Sequence, residues 1–204
     1  PLPPPTSLPQ PTSLPPPRPP PLPLPLEALQ SLPGDPARVP PLRIRRVCLR
    51  VGDALELGGI DGPPGQRDVG LEVKFLFGKR RIAYEWYCGP GAFETDAMQT
   101  GGPYAKIEFA FASLRTFAMR RAHSGVILHI GLSDPPALFM QTMSSVQRFQ
   151  TRSQQRQYNK VTAASFPLPC LAQEHPHELS LRADDALRLR AAVVQSAMEL
   201  HNLM

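Results

Sequence analysis

The stretch VGLEVKFLFGKRRIAYEWY, residues 69–87, constrains the fold of this chain more than any other. Val69, Leu71, Val73, Phe75 and Phe77 recur at every second position, with Glu72 and Lys74 among the residues between them. A two-residue period puts the apolar set on one face of a strand and the charges on the other. After Gly78, Lys79 and Arg80 the alternation resumes. Ile82, Tyr84 and Trp86 share one face, and Ala83 and Glu85 share the other. The pattern predicts a β-hairpin with its tip at Gly78 to Arg80. A lone hairpin is marginally stable in water, so further strands have to pack with it.

Those strands are visible on both sides. LRIRRVCLRV (42–51) alternates apolar and basic residues with a phase slip at Arg45-Arg46, which predicts a strand carrying a bulge. DALELGG (53–59) reads as a short strand, and IDGPPGQRD (60–68) as a turn-rich loop. CGPGAFETDAMQTGGP (88–103) reads as a long loop. YAKIEFAFASL (104–114) turns Ala105, Ile107, Phe109 and Phe111 inward and Lys106 and Glu108 outward. RTFAMRR (115–121) continues as another strand after a bend at Ala112-Ser113. VILHIGLS (126–133) places Val126, Leu128, Ile130 and Leu132 on one face. Asp134-Pro135-Pro136 breaks it, and ALFMQ (137–141) is a short strand beyond. Residues 142–165 are polar and aperiodic, which predicts loop with some helix, and the prolines of 166–178 predict irregular chain. In ADDALRLRAAVVQSAMELHNLM, Leu187, Ala191, Val194 and Met198 fall at helical spacing, and Asp184 and Asp185 suit a first turn. A helix over about 182–203 is expected.

Proline decides where the folded part begins. The chain has 204 residues and 27 prolines, most of them before Val47. Proline fixes φ and has no amide donor, so residues 1–40 are expected to be a disordered, polyproline II-like arm. EALQSL (27–32) could form a helical turn, but PGDP ends it, and no residue of the arm is expected in a core. Residues 41–204 then form one domain: a core over 42–140, a polar loop over 141–178, and the helix. The expected class is mainly β with a C-terminal α-helix. A meander of antiparallel strands followed by one helix matches the PH-like plan, a bent sheet or barrel capped by that helix.

The same residues resemble a known family. VGLEVKFLFGKRRIAYEW is similar to the PH-like domain of the plant and algal proteins grouped under the TRF-two/HOY-one label. Members carry an apolar strand with a Lys, a small residue with Lys-Arg-Lys, then an aliphatic residue and a Trp-Glu or Glu-Trp pair. KIEFAFASLRTFAM and GVILHIGLSDPPALF extend the similarity over about residues 42 to 140. Where members have a Ser-Asp-Ile turn this chain has Ala112-Ser113-Leu114, and the family's W-x-x-x-x-D-F-T segment is RQYNKVTAASF here. The resemblance implies a PH-like fold, no enzymatic activity and no cofactor. Its label hints at nuclear, transcription-related proteins, and the expected setting is intracellular, nuclear or cytoplasmic.

Several residues could carry function. Lys74, Lys79, Arg80 and Arg81 gather near the hairpin tip, and converging cations are what a phosphoinositide headgroup or anionic membrane needs. Arg43, Arg45, Arg46, Arg50, Arg115, Arg120 and Arg121, with Tyr84, Trp86 and Tyr87, supply the basic and aromatic types of a nucleic-acid surface. Tyr84 and Trp86 alternate with Glu85, however, as core residues do. The net charge of +5 fits an acidic partner and is also ordinary. In the arm, Pro20, Pro21, Leu22 and Pro23 spell a WW-type ligand. On the helix, the outward Arg188 and Arg190 are candidates for contacting a protein partner, because peptide-binding PH-like folds use the groove beside that helix.

Catalysis finds little purchase. Glu174, His175, His177 and Glu178 cluster, but no distant ligand completes a metal site. His123 and Ser124 are adjacent with no Asp placed to orient the histidine, and no phosphate-cradling glycine motif occurs. Cys48, Cys88 and Cys170 are far apart, odd in number and without a CxxC, which favours a reducing compartment over a disulfide framework. No apolar run is long enough to span a bilayer, and the first residues have no secretory-signal pattern. The reading is therefore a non-catalytic PH-like protein-interaction domain. Phosphoinositide binding and nucleic-acid binding are its alternatives.

Overall fold

The structure, a computed structural model, describes residues 22–23, 26–31, 41–52, 55–58, 67–68, 70–88, 104–141, 157–172 and 175–201. Their strands, in chain order, are β1 (Leu22–Pro23), β2 (Leu42–Ile44), β3 (Cys48–Val51), β4 (Leu55–Gly58), β5 (Arg67–Asp68), β6 (Glu72–Leu76) and β7 (Arg81–Tyr87). They continue as β8 (Tyr104–Ala110), β9 (Leu114–Ala122), β10 (Gly125–Leu132), β11 (Ala137–Gln141), β12 (Tyr158–Val161) and β13 (His177–Leu181). Two α-helices join them, α1 (Leu26–Ser31) and α2 (Ala183–His201). Among the described residues the strands form two sheets, in the order β1-β9-β10-β13-β3-β4-β5 and β12-β11-β8-β7-β6-β2. All pairs are antiparallel except β4–β5. The fold is thus mainly β with a C-terminal helix, as expected. The sheets are not closed into a barrel.

The sheets face each other across one apolar core. Phe75 of one sheet meets Phe117 of the other edge-on at 6.3 Å. Trp86, Tyr84, Phe75, Phe77, Phe111, Ile82 and Ile107 are almost completely buried. Burying one such side chain contributes about 2 kcal/mol. The central hairpin follows its sequence pattern, with Val73 opposite Tyr84 and Phe75 opposite Ile82. β7 lies between β6 and β8, so Ala83, Glu85 and Tyr87, on its outer face, are buried as well.

The chain crosses between sheets at short corners. At the first, Arg46 takes φ 47 between β2 and β3, which lie in different sheets. The Arg45-Arg46 slip is therefore a corner and not a bulge, since both shift the phase of an alternating run by one residue. Phe111–Ser113, a single 3₁₀ turn, carries β8 into β9, and Ser133 donates its amide to the Ser113 carbonyl at the next corner (2.8 Å). Gly125 opens β10 at φ +152, and a Cβ there would lie 2.4 Å from the Leu181 carbonyl oxygen.

Four further expectations are corrected. Residues 158–161 are strand, paired with β11, and not loop. His177–Leu181 is β13, a central strand between β10 and β3, and it takes in His177 and Glu178, where irregular chain is expected. The helix buries Ala186, Leu189, Val193 and Ser196, while Leu187 is 63% and Val194 42% exposed, so the expected apolar face is the outer one. Finally, the proline-rich arm does contribute to the core. Leu22–Pro23 pairs with β9, and Leu29 of α1 is 1% exposed within the apolar cluster. The remaining residues of the arm, and residues 89–103 and 142–156, where loop is expected, lie outside the described residues. Among the described residues, no helix is long and apolar enough to cross a membrane.

Candidate functional site

The hairpin tip is built by Phe77–Lys79, a 3₁₀ turn, and by Arg80, whose backbone is left-handed at φ 53. Its cations do not converge. Lys74 lies in the middle of β6, whereas Lys79 lies in the 3₁₀ turn beyond its end. The Lys74 ammonium donates to Glu85 (2.5 Å) and pairs with Glu72 (3.0 Å). Arg81 binds the Glu108 carboxylate at 3.0 Å, and Arg80 donates to the Gln30 carbonyl at the end of α1. Lys79 is the exposed member of the four that no carboxylate or carbonyl among the described residues holds. An anion at the tip would have to take the others from these partners.

The carboxylates register this pairing. Burial alone would raise the Glu72 carboxyl, but the Lys74 charge, with hydrogen bonds from Lys74 and Arg45, holds it below the usual range. Glu108 is lowered in the same way: burial opposes, and the bonds and charges of Lys106 and Arg81 prevail. Lys106 also lies over the rings of Phe139 and Tyr158, 4.5 Å from each centroid. The centre of the outer face of the six-stranded sheet is an ion-pair network of Lys74, Arg81 and Lys106 with Glu72, Glu85 and Glu108.

The nucleic-acid residues are dispersed. Tyr84, Trp86 and Tyr87 are buried and offer no stacking surface. Arg45 is bound to Glu72, and Arg50 donates to the Gly52 carbonyl (3.2 Å). Arg115 and Arg121 sit near opposite ends of β9, roughly 20 Å apart along the strand.

The arm makes the more specific contact. Leu22 registers with Met119 and Pro23 with Ala118, so β1 extends the edge of β9. α1 then packs against α2, β9 and the Phe111–Ser113 turn. Leu29 is buried, Leu26 packs half-buried against the same cluster, and the Gln30 side chain donates to the Leu114 carbonyl (3.0 Å). Pro20 and Pro21 lie outside the described residues. Arg188 is exposed on α2 and bound to Asp185 at 3.1 Å, and Arg190 is exposed beside it. The seat of α1 contradicts the expectation that the arm stays outside the core. Its one signal was Leu26 and Leu29 at i, i+3 spacing.

Inside the core, His177 of β13 points between the sheets. Its Nδ1 is 3.4 Å from the Tyr84 hydroxyl, and its ring packs on Tyr84 and Phe109. Nε2 has no hydrogen-bond partner among the described residues. Burial, with a smaller push from His175, lowers this histidine to about 4, so the ring is neutral at pH 7. Burial raises Tyr84 well above its ordinary value and the Cys88 thiol to about 11. His129 pairs instead with Glu178 at 3.2 Å across β10 and β13. Among the described residues, no three His, Cys, Asp or Glu side chains gather to hold a metal. In comparisons with known proteins, the chain matches no family model and no curated protein.

Proposed function

We propose that the chain is a non-catalytic, PH-like protein-interaction domain that engages a partner along the β9 edge, beside α2. The observation that carries this reading is the seating of Leu22–Ser31. A segment that precedes the expected domain pairs with β9 as an edge strand and inserts Leu29 into the core beside α2 and the Phe111–Ser113 turn. A surface that takes a short strand and a leucine anchor has the chemistry of peptide recognition by strand addition. The similarity of residues 42–140 to the TRF-two/HOY-one group supports a nuclear regulatory setting for it. The ion pairs at Lys74 and Arg81 count against a headgroup site at the tip.

The test uses the full chain with a photocrosslinking residue at Arg121, exposed near the end of β9. Adducts to discrete proteins are expected, and an excess of a synthetic peptide of residues 20–32 should suppress them. Sedimentation with phosphoinositide vesicles, lost in a Lys79→Glu/Arg81→Glu variant, would replace this reading with membrane binding.

A further inference from the structure

The occupied edge of β9 also says what kind of segment it accepts. A six-residue helix is too short to persist alone in water, so α1 holds its shape because of where it sits. Its seat has three parts. The first is the backbone of β9 at Ala118 and Met119, which receives a two-residue strand. The second is an apolar socket that takes Leu29 to 1% exposure, with Leu26 at its rim. The third is a polar clamp: the Leu114 carbonyl accepts from Gln30, and Arg80 donates to the Gln30 carbonyl.

Arg80 ties the clamp to the hairpin. Its φ of 53 is one that glycine adopts freely and arginine does not, and its own carbonyl accepts from the Phe111 amide (2.9 Å). The left-handed backbone thus carries the guanidinium that receives the end of α1. Among the described residues β1 covers two of the nine residues of β9, and one of the two is a proline without an amide to donate.

Resting on the protein-interaction reading above, we infer that this seat recognises a matching segment in a partner protein, and that Leu22–Ser31 is its tethered competitor. The partner segment has an extended step that adds to β9. One and a half turns of helix follow, with leucines three residues apart and a terminal carbonyl for Arg80. Covalent attachment gives the resident segment an effective concentration on the order of millimolar, so a partner segment binds weakly until the resident is displaced.

The experiment is fluorescence anisotropy of a labelled peptide of residues 20–32 added to the full chain and to a Leu29→Asp full chain. The wild type should bind weakly and Leu29→Asp at least tenfold more tightly. Adding Arg80→Gly to Leu29→Asp should cut the affinity several-fold while leaving the urea midpoint unchanged or higher. Equal binding by wild type and Leu29→Asp would leave the interaction surface standing and overturn the competition. No binding to a folded Leu29→Asp chain would overturn the surface itself. If Leu29→Asp fails to fold, hydrogen exchange on the wild type decides. Amides of Leu26–Ser31 that open well before those of β6–β8 support the competitor, and opening only with global unfolding overturns it.

Discussion

The outer face of the six-stranded sheet and the space between the two sheets both hold polar side chains, and they treat them in opposite ways. Outside, the half-buried charges at the centre of the sheet each have a counter-charge within reach, while Arg43 and Lys160 toward its edges are exposed to solvent. Glu72 and Glu85 stand directly opposite each other on β6 and β7, a repulsive pairing, but the Lys74 ammonium lies between them and binds both. Glu108 is held by Lys106 at 2.8 Å and by Arg81 at 3.0 Å. Inside, His177 is fully buried, and its polar neighbour, the Tyr84 hydroxyl, is at a long 3.4 Å. The difference shows what each environment tolerates. Ionised groups survive half-burial where partners are matched strand by strand. Between the sheets the imidazole persists only in its neutral form.

The largest effect should come from breaking that neutrality with acid. The His177 ring is lowered to about 4 in the folded chain, against an ordinary 6.5 that the unfolded chain recovers. Below pH 6.5 the unfolded chain binds a proton that the folded chain refuses, so stability falls with pH. The fall ends near pH 4, where the folded ring also protonates. Two and a half pH units correspond to about 3 kcal/mol. Glu72 and Glu108, whose carboxyls are lowered, give stability that is present above the ordinary carboxylate value and lost as pH falls through their folded values. The window between 6.5 and 4.5 therefore belongs to His177. Urea midpoints from pH 7.5 to 4.5 should show the loss, and His177→Phe should flatten it. An unchanged slope in that variant would place the acid sensitivity elsewhere.

The outer network should break differently. Glu85→Gln strands half of the Lys74 partnership in a nearly buried position, at a cost of about 2 kcal/mol, with Glu72 limiting the damage. Replacing both partners, as Glu85→Gln with Lys74→Met, should recover most of that, because no lone charge is left to desolvate. A double variant as unstable as the single one would mean that packing, and not charge, sets the cost. Tyr84→Phe is the milder cut inside the core. Among the described residues it removes only the long contact to His177, for about 1 kcal/mol by chemical denaturation.

How much of this was legible depended on whether the information is local. Strict alternation between Leu71 and Phe77 and between Ile82 and Trp86, around a basic turn, is enough to place β6, β7 and the tip. β8 follows for the same reason. The helix is legible too, but its buried face is not. Leu187, Ala191 and Val194 make one apolar stripe, and Ala186, Leu189 and Val193 make another at equally good helical spacing. Only the contacts of α2 with α1, β10 and β2 choose between them. His177 was hidden by its prolines, although its parity with Leu179 and Leu181 places it inward. Leu29 was hidden more deeply, because a six-residue helix after a proline run has no stability of its own to announce it. The tip cations could be listed from sequence, but Glu85 and Glu108 reach them from β7 and β8 across the sheet and the Gln30 carbonyl from α1, so their engagement could not.

The smallest effect separates the rim of the outer network from its middle. The Arg81 side chain is 54% exposed where it meets Glu108, whereas Lys74 is 17% exposed where it meets Glu85. Solvent screening should reduce the Arg81–Glu108 coupling to about 0.5 kcal/mol in a double-mutant cycle. It should fade further as ionic strength rises from 0.05 to 0.5 M, since the Debye length shrinks from roughly 14 to 4 Å. The Lys74–Glu85 coupling should hold over the same range. Equal salt sensitivity for both would mean that the sheet does not shield its centre. The contrast between matched charges outside and a neutral ring inside would then rest on partner supply alone, with burial contributing nothing to it.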